Sequence, residues 1–178
     1  MKEISEHTET CAISAEPDEK NRLVAELASL LLADNVAMTT AESCTGGLIA
    51  GALTDMAGSS GWFEQSVVTY SNRAKQDLLG VPSMVFEQHG AVSEACVLAM
   101  AKGASERSGA SVAVAASGIA GPGGAVPDKP VGTVWLGWSV AGRLSAELLH
   151  LQGDRLAVRE QAVLHALRGT IARIRNQE

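Results

Sequence analysis

The chain is short of cysteine, of aromatic residues and of clustered positive charge, and each shortage closes off a class of function. Its three cysteines, Cys11, Cys44 and Cys96, stand far apart. An odd count without a CxxC pair indicates neither a disulfide framework nor a zinc site. The four histidines, His7, His89, His150 and His165, are equally scattered, so no metal is expected. Lysine and arginine total 14 against 20 acidic residues, a net charge of −6 without a basic cluster. Nucleic acid is therefore not an expected partner. No apolar run approaches the roughly 20 residues that span a bilayer, and the first residues lack a charged-then-apolar leader pattern. No membrane partner is expected, and the expected address is the cytoplasm.

What is there describes one globular domain. The 178 residues are 46% hydrophobic and 19% charged, enough to build a full core. Residues 1–16 are polar and aperiodic and read as a mobile tail, leaving 17–178 as the domain. A helix is expected from near Asp18, with Leu23, Leu27, Leu30 and Leu31 at helical spacing, closed by Asp34-Asn35. A strand follows at Val36 to Thr40, then a helix from Leu48 to Met56 stopped by Gly58. Ser66 to Tyr70 reads as a second strand, and Asn72 as the cap of a short helix, Arg73 to Leu79. Ser83 to Gln88 is a further helical turn, and Ser93 caps a helix reaching about Arg107. Ser111 to Ala116 is a continuous small-apolar run, as in a strand covered on both faces. Val131 to Val140 and Leu144 to Leu151 are strands joined at Ala141-Gly142, hence antiparallel. Asp154 caps a final helix running to about Arg175. Alternating strands and helices with a late hairpin predict a three-layer α/β/α domain around a mixed, mainly parallel sheet.

Two glycine-rich turns follow predicted strands, and ligands of open α/β sheets collect beyond the carboxyl ends of the strands. The first, Glu42-Ser43-Cys44-Thr45-Gly46-Gly47, crowds a carboxylate, two hydroxyls and a thiol ahead of a helix. It reads equally as a nucleophile turn with N–H groups for an oxyanion or as an ordinary helix cap. Glu42 is either a polar substrate contact or a holder of backbone N–H groups, and Cys44 is a competing nucleophile or packing. The second turn begins at Ser117-Gly118. Tyr70, the sole tyrosine, and Lys75 can reach the same crevice, where a lysine of lowered pKa deprotonates a serine. Arg155 and Arg159, one turn apart at a helix start, suit a phosphate or are solvated surface arginines. Neither turn matches the Walker or GxGxxG patterns.

Five blocks then occur in a telling order: Thr40-Ala41-Glu42-Ser43-Cys44-Thr45-Gly46-Gly47; Val68-Thr69-Tyr70-Ser71-Asn72 with Ala74-Lys75; His89-Gly90-Ala91-Val92-Ser93; Ser117-Gly118-Ile119-Ala120-Gly121-Pro122; and Lys129-Pro130-Val131-Gly132-Thr133-Val134. Over about residues 20 to 175 the chain resembles the C-terminal domain of the competence/damage-inducible CinA proteins in its stand-alone form. The resemblance implies hydrolysis of the carboxamide of nicotinamide mononucleotide to nicotinate mononucleotide and ammonia, in pyridine nucleotide recycling. It casts Ser43 as nucleophile, Lys75 as general base and Tyr70 as a helper in the proton relay. Ser117 and Arg155 become substrate contacts, with Gly118, Arg159 and the Thr45-Gly46-Gly47 backbone beside them. The partner implied is a small-molecule nucleotide, with no metal or organic cofactor, in a homodimer. Longer CinA proteins add a nucleotide pyrophosphatase domain, whose activity is not expected here. Two rivals stand: a non-catalytic nucleotide-binding module, and a thiol hydrolase using Cys44.

Overall fold

The computed structural model describes residues 19–176. The expected tail, residues 1–16, lies outside them. The small-apolar run becomes strand β3 (Val112–Gly118), whose side chains alternate between two layers. Val112, Val114 and Ala116 face one layer, Ala113 and Ala115 the other, and none is more than 2% exposed. Covering helices on both faces leave no solvated face, which is why the run lacks polar alternation. The first layer holds α1 (Glu19–Ala33), α2 (Leu48–Thr54) and α6 (Arg155–Arg175). The second holds α3 (Asn72–Leu79), α4 (Ser83–Gln88) and α5 (Glu94–Ser108). The protein is thus the expected three-layer α/β/α domain.

The five strands are ordered β2-β1-β3-β4-β5, with β1 at Met38–Glu42, β2 at Phe63–Val68, β4 at Thr133–Val140 and β5 at Arg143–His150. β1 pairs in parallel with β2 and β3, while β3–β4 and β4–β5 are antiparallel. The sheet is mixed as expected, with its pairings evenly divided; only β4 runs against the other four strands. On one face α5 lies close to β4, since a Cβ on Gly137 would meet the Val97 carbonyl oxygen at 2.6 Å. Small residues at the contact set that spacing.

Several boundaries move for local reasons. β1 starts at Met38, not Val36, because Val36 N–H donates to Leu31 O at 3.0 Å and closes α1 behind Asn35, whose φ is 52°. β2 starts at Phe63 and ends before Tyr70, so the tyrosine lies in the turn beyond it. Ser71, not Asn72, caps α3: its Oγ accepts from Ala74 N–H at 3.0 Å. Asn72 becomes the first helical residue. α2 ends at Thr54, short of Met56.

Candidate active site

The parallel strands end together. Glu42 lies opposite Val68 on one side and Ala116 on the other, so the loops after β1, β2 and β3 gather at one edge of the sheet. β1 is also where the topology reverses: β2 is reached through α2 on one face, β3 through α3 to α5 on the other. Such a switch point opens a crevice.

The turn after β1 is held from beneath. Ser43 N–H donates to Ala116 O at 2.9 Å, extending the ladder by one bond, and Gly46 N–H donates to Ser43 O at 3.1 Å. Gly46 and Gly47 have φ of 60° and 95°, where a side chain is strained. Glu42 has no exposed surface. Its carboxylate accepts from Gly47, Ile49 and Ala50 N–H at 2.9, 3.1 and 2.8 Å and from Thr40 Oγ1 at 3.3 Å. Period-two alternation points Thr40 and Glu42 to the α2 side, where the first helical N–H groups lack intrahelical acceptors. The reading of Glu42 as a substrate contact is thereby corrected: the residue caps α2. Thr45 is sealed from solvent as well, so its side chain meets no ligand directly.

Lys75 arrives from the opposite layer. It sits on the first turn of α3, 1% exposed, with Nζ donating toward Ser43 Oγ at 3.0 Å, Thr69 O at 2.8 Å and Tyr70 O at 3.3 Å. Burial holds its pKa below the ordinary 10.5. The groups that oppose this shift are the thiols of Cys96 and Cys44. Burial pushes each thiol up to about 11, so both are neutral at pH 7 and give the ammonium no counter-charge. Among the described residues no carboxylate pairs with Lys75.

A cleft of about 210 Å³ opens over this pair, lined also by Tyr70, Ser117, Gly118 and Arg155. Ser117 Oγ donates to Ala91 O at 2.7 Å. Tyr70 is 62% exposed, and its phenol oxygen accepts from Arg155 Nη2 at 3.1 Å. Its tie to Lys75 is the backbone carbonyl, not the phenol. Arg155 Nη1 donates to Gly121 O at 2.9 Å, bracing the second glycine-rich turn. Arg159 does not line the cleft. Its Nε and Nη2 donate to Cys44 O and Thr45 O at 3.1 and 2.7 Å, so the two arginines form no joint phosphate cradle.

Asn72, Ala91 and Val92 also line the cleft, and sequence reasoning gave none of them a place in the site. The signals were the ordered blocks: Asn72 ends the block Val68–Asn72, and Ala91 and Val92 lie in His89–Ser93, which falls between two helices and packs as a wall. Larger depressions of about 360 and 270 Å³ lie elsewhere, but neither joins a hydroxyl to a buried lysine. No cluster of His, Cys, Asp and Glu suited to a metal occurs among the described residues.

Comparison with known proteins agrees with this architecture. The family described as CinA C-terminal domain matches residues 20–174. The nicotinamide-nucleotide amidohydrolase PncC of Pseudomonas putida is 56% identical over 137 residues, covering 77% of this chain and 86% of that protein. The protein of the same name from Escherichia coli K12 is 49% identical over 147 residues, 82% of this chain and 89% of its own. Among solved structures, the competence damage-inducible protein A of Klebsiella pneumoniae superposes with a TM-score of 0.87 at 38% identity, covering 89% of this chain and 99% of that one. The chain belongs to the CinA C-terminal domain family.

Proposed function

We propose that this chain hydrolyses the carboxamide of nicotinamide mononucleotide, releasing ammonia and nicotinate mononucleotide for pyridine nucleotide recycling. The observation that carries the reading is the 3.0 Å contact of Lys75 Nζ with Ser43 Oγ at the floor of a cleft. The relatives named for amide hydrolysis of a nicotinamide nucleotide supply the substrate class. An ammonium would donate to all three oxygens around Nζ. Neutral Lys75 keeps two N–H groups for Thr69 O and Tyr70 O, which turns its lone pair to the Ser43 hydroxyl.

Ser43 Oγ attacks the carboxamide carbon as its proton passes to Lys75, and the carbonyl electron pair moves onto oxygen. The tetrahedral intermediate collapses, the C–N bond breaks, and Lys75 returns the proton to the departing nitrogen as ammonia. Water then attacks the acyl-enzyme, Lys75 takes its proton and delivers it to Ser43 Oγ, and the carboxylate leaves. Of the N–H groups from Thr45 to Gly47 that the sequence suggests for the oxyanion, two are engaged elsewhere. Gly46 N–H is bonded to Ser43 O and Gly47 N–H to Glu42, leaving the amides of Cys44 and Thr45 without an oxygen partner among the described residues. A pair of such donors lowers a barrier by roughly 3 kcal/mol each. Arg155 meets the nucleotide at the rim, where the exposed Tyr70 ring offers a face for stacking, and Ser117 lines the cleft deeper in.

Ammonia release from nicotinamide mononucleotide, wild type against Ser43→Ala, tests the reading. Release by the wild type alone supports it. Saturable binding without release means a nucleotide-binding module. Release that survives Ser43→Ala but not Cys44→Ala means a thiol hydrolase.

A further inference from the structure

Among the described residues, Arg159 is the cation that reaches the nucleophile turn from behind. Its guanidinium edge makes a two-pronged contact with consecutive carbonyls, Cys44 O at 3.1 Å and Thr45 O at 2.7 Å. The contact is tight, since a Cβ on Gly46 would lie 3.2 Å from Arg159 Nη2. No carboxylate lies within ion-pair distance of Arg159 among the described residues, so its charge bears on the turn.

Peptide geometry gives this contact a consequence. In a trans peptide the C=O of one residue and the N–H of the next point in opposite directions. α6, which carries Arg159, covers one face of the sheet; α3, which carries Lys75, covers the other. Drawing Cys44 O toward α6 therefore turns Thr45 N–H away from α6, where the only group it meets among the described residues is the sulfur of Cys44, a weak acceptor that itself lines the cleft. The neighbouring amide, Cys44 N–H, is set by a separate bond, Gly46 N–H to Ser43 O at 3.1 Å. Successive amides turned to one side of such a turn form an anion-binding concavity. A guanidinium on the carbonyl also polarises that peptide and strengthens its N–H as a donor.

We propose that Arg159 is a positioning residue for the oxyanion: by holding the Cys44 and Thr45 carbonyls it aims the Thr45 N–H into the cleft and strengthens it. The inference rests on the amidohydrolase reading above. It departs from the phosphate role that the Arg155–Arg159 spacing suggests.

The experiment compares wild type, Arg159→Ala and Arg159→Lys. Lysine keeps the charge but cannot fork onto two carbonyls. In Arg159→Ala, kcat should fall on the order of 100-fold, as misplacement of a catalytic group typically costs, with KM unchanged. Arg159→Lys should fall between, and the ascending pH limb of activity should not move in either variant. Pyridine-3-boronic acid, which forms a tetrahedral adduct on a serine, should lose affinity in step with kcat. Nicotinate mononucleotide should bind all three proteins alike. A raised KM with kcat intact overturns the proposal and makes Arg159 a substrate contact. So does kcat within about threefold of wild type, far from the loss expected of a misaimed donor. Parallel loss of boronate and nicotinate mononucleotide binding also overturns it, as the sign of general collapse. If wild type releases no ammonia, the amidohydrolase reading itself fails and takes this inference with it.

Discussion

On the proposed mechanism Lys75 sets the pH behaviour of the protein, because its proton takes part in the chemistry and its charge carries a burial cost. Its folded pKa lies below the unfolded 10.5, with desolvation the leading cause. On the proposed mechanism activity needs the neutral amine, so kcat/KM should rise with pH through that depressed value and level off below pH 10.5. A profile still climbing through 10.5 would contradict the assignment. Lys75→Arg should lose at least 100-fold in kcat, since a guanidinium stays protonated and cannot act as base. The stability sign follows from the same shift. Below the folded pKa the buried ammonium is charged in both states and the fold bears its desolvation. As pH rises from there toward 10.5 the folded state sheds its proton first, and stability increases. Urea midpoints of wild type should therefore rise relative to Lys75→Met across that window. Cys44, only 6% exposed with its thiol pushed up to about 11, is a poor nucleophile at neutral pH. Cys44→Ala should keep most of its activity, and iodoacetamide should label the native chain slowly at pH 7.

At the level of elements, the β1–turn–α2 unit is where sequence reading succeeded and where it stopped. The alternation of apolar and glycine-rich segments was enough to place a strand, a sharp turn and a helix, and to put both glycine-rich turns at one edge. The place of Lys75 just after a strand suggested a crevice shared with Ser43 without showing that they touch. Glu42 was ambiguous because a carboxylate before a helix can cap it or face solvent, and only its strand register, with the side chain on the α2 side, decides. The free oxyanion donors were illegible for a related reason: which N–H groups are already engaged depends on Glu42 and on contacts across the sheet. Arg159 lies more than a hundred positions from Cys44 in the chain, so no local pattern links them. Glu42→Gln tests the capping role. A neutral amide keeps one acceptor oxygen and brings a donor against N–H groups, so the native state should lose about 1–3 kcal/mol in urea unfolding. An unchanged midpoint would mean that the helix N-terminus needs no carboxylate.

Over the whole molecule, the site exists only because two layers close on one strand end. α2 and α6 hold the Ser43 turn from one face, while α3 delivers Lys75 from the other, and α3 is itself set by α5. At that contact a Cβ on Gly103 of α5 would fall 1.9 Å from the Leu79 carbonyl at the end of α3, against backbone that no rotamer change can relieve. Gly103→Ala must therefore move α3 away from α5 or unfold part of it. Overpacking of this kind costs roughly 1–3 kcal/mol, which would leave most of a typical domain folded at 25 °C. The displacement acts along the helix that carries Lys75, so kcat should fall by more than the unfolded fraction accounts for. Arg159 lies in the opposite layer and holds the Ser43 turn from there, so boronate affinity should fall less than kcat. Thermal melting alongside kcat and boronate binding separates the effects. Loss of kcat in proportion to unfolded protein would mean that the layers tolerate independent shifts, and that the Lys75–Ser43 contact does not depend on how α3 is seated.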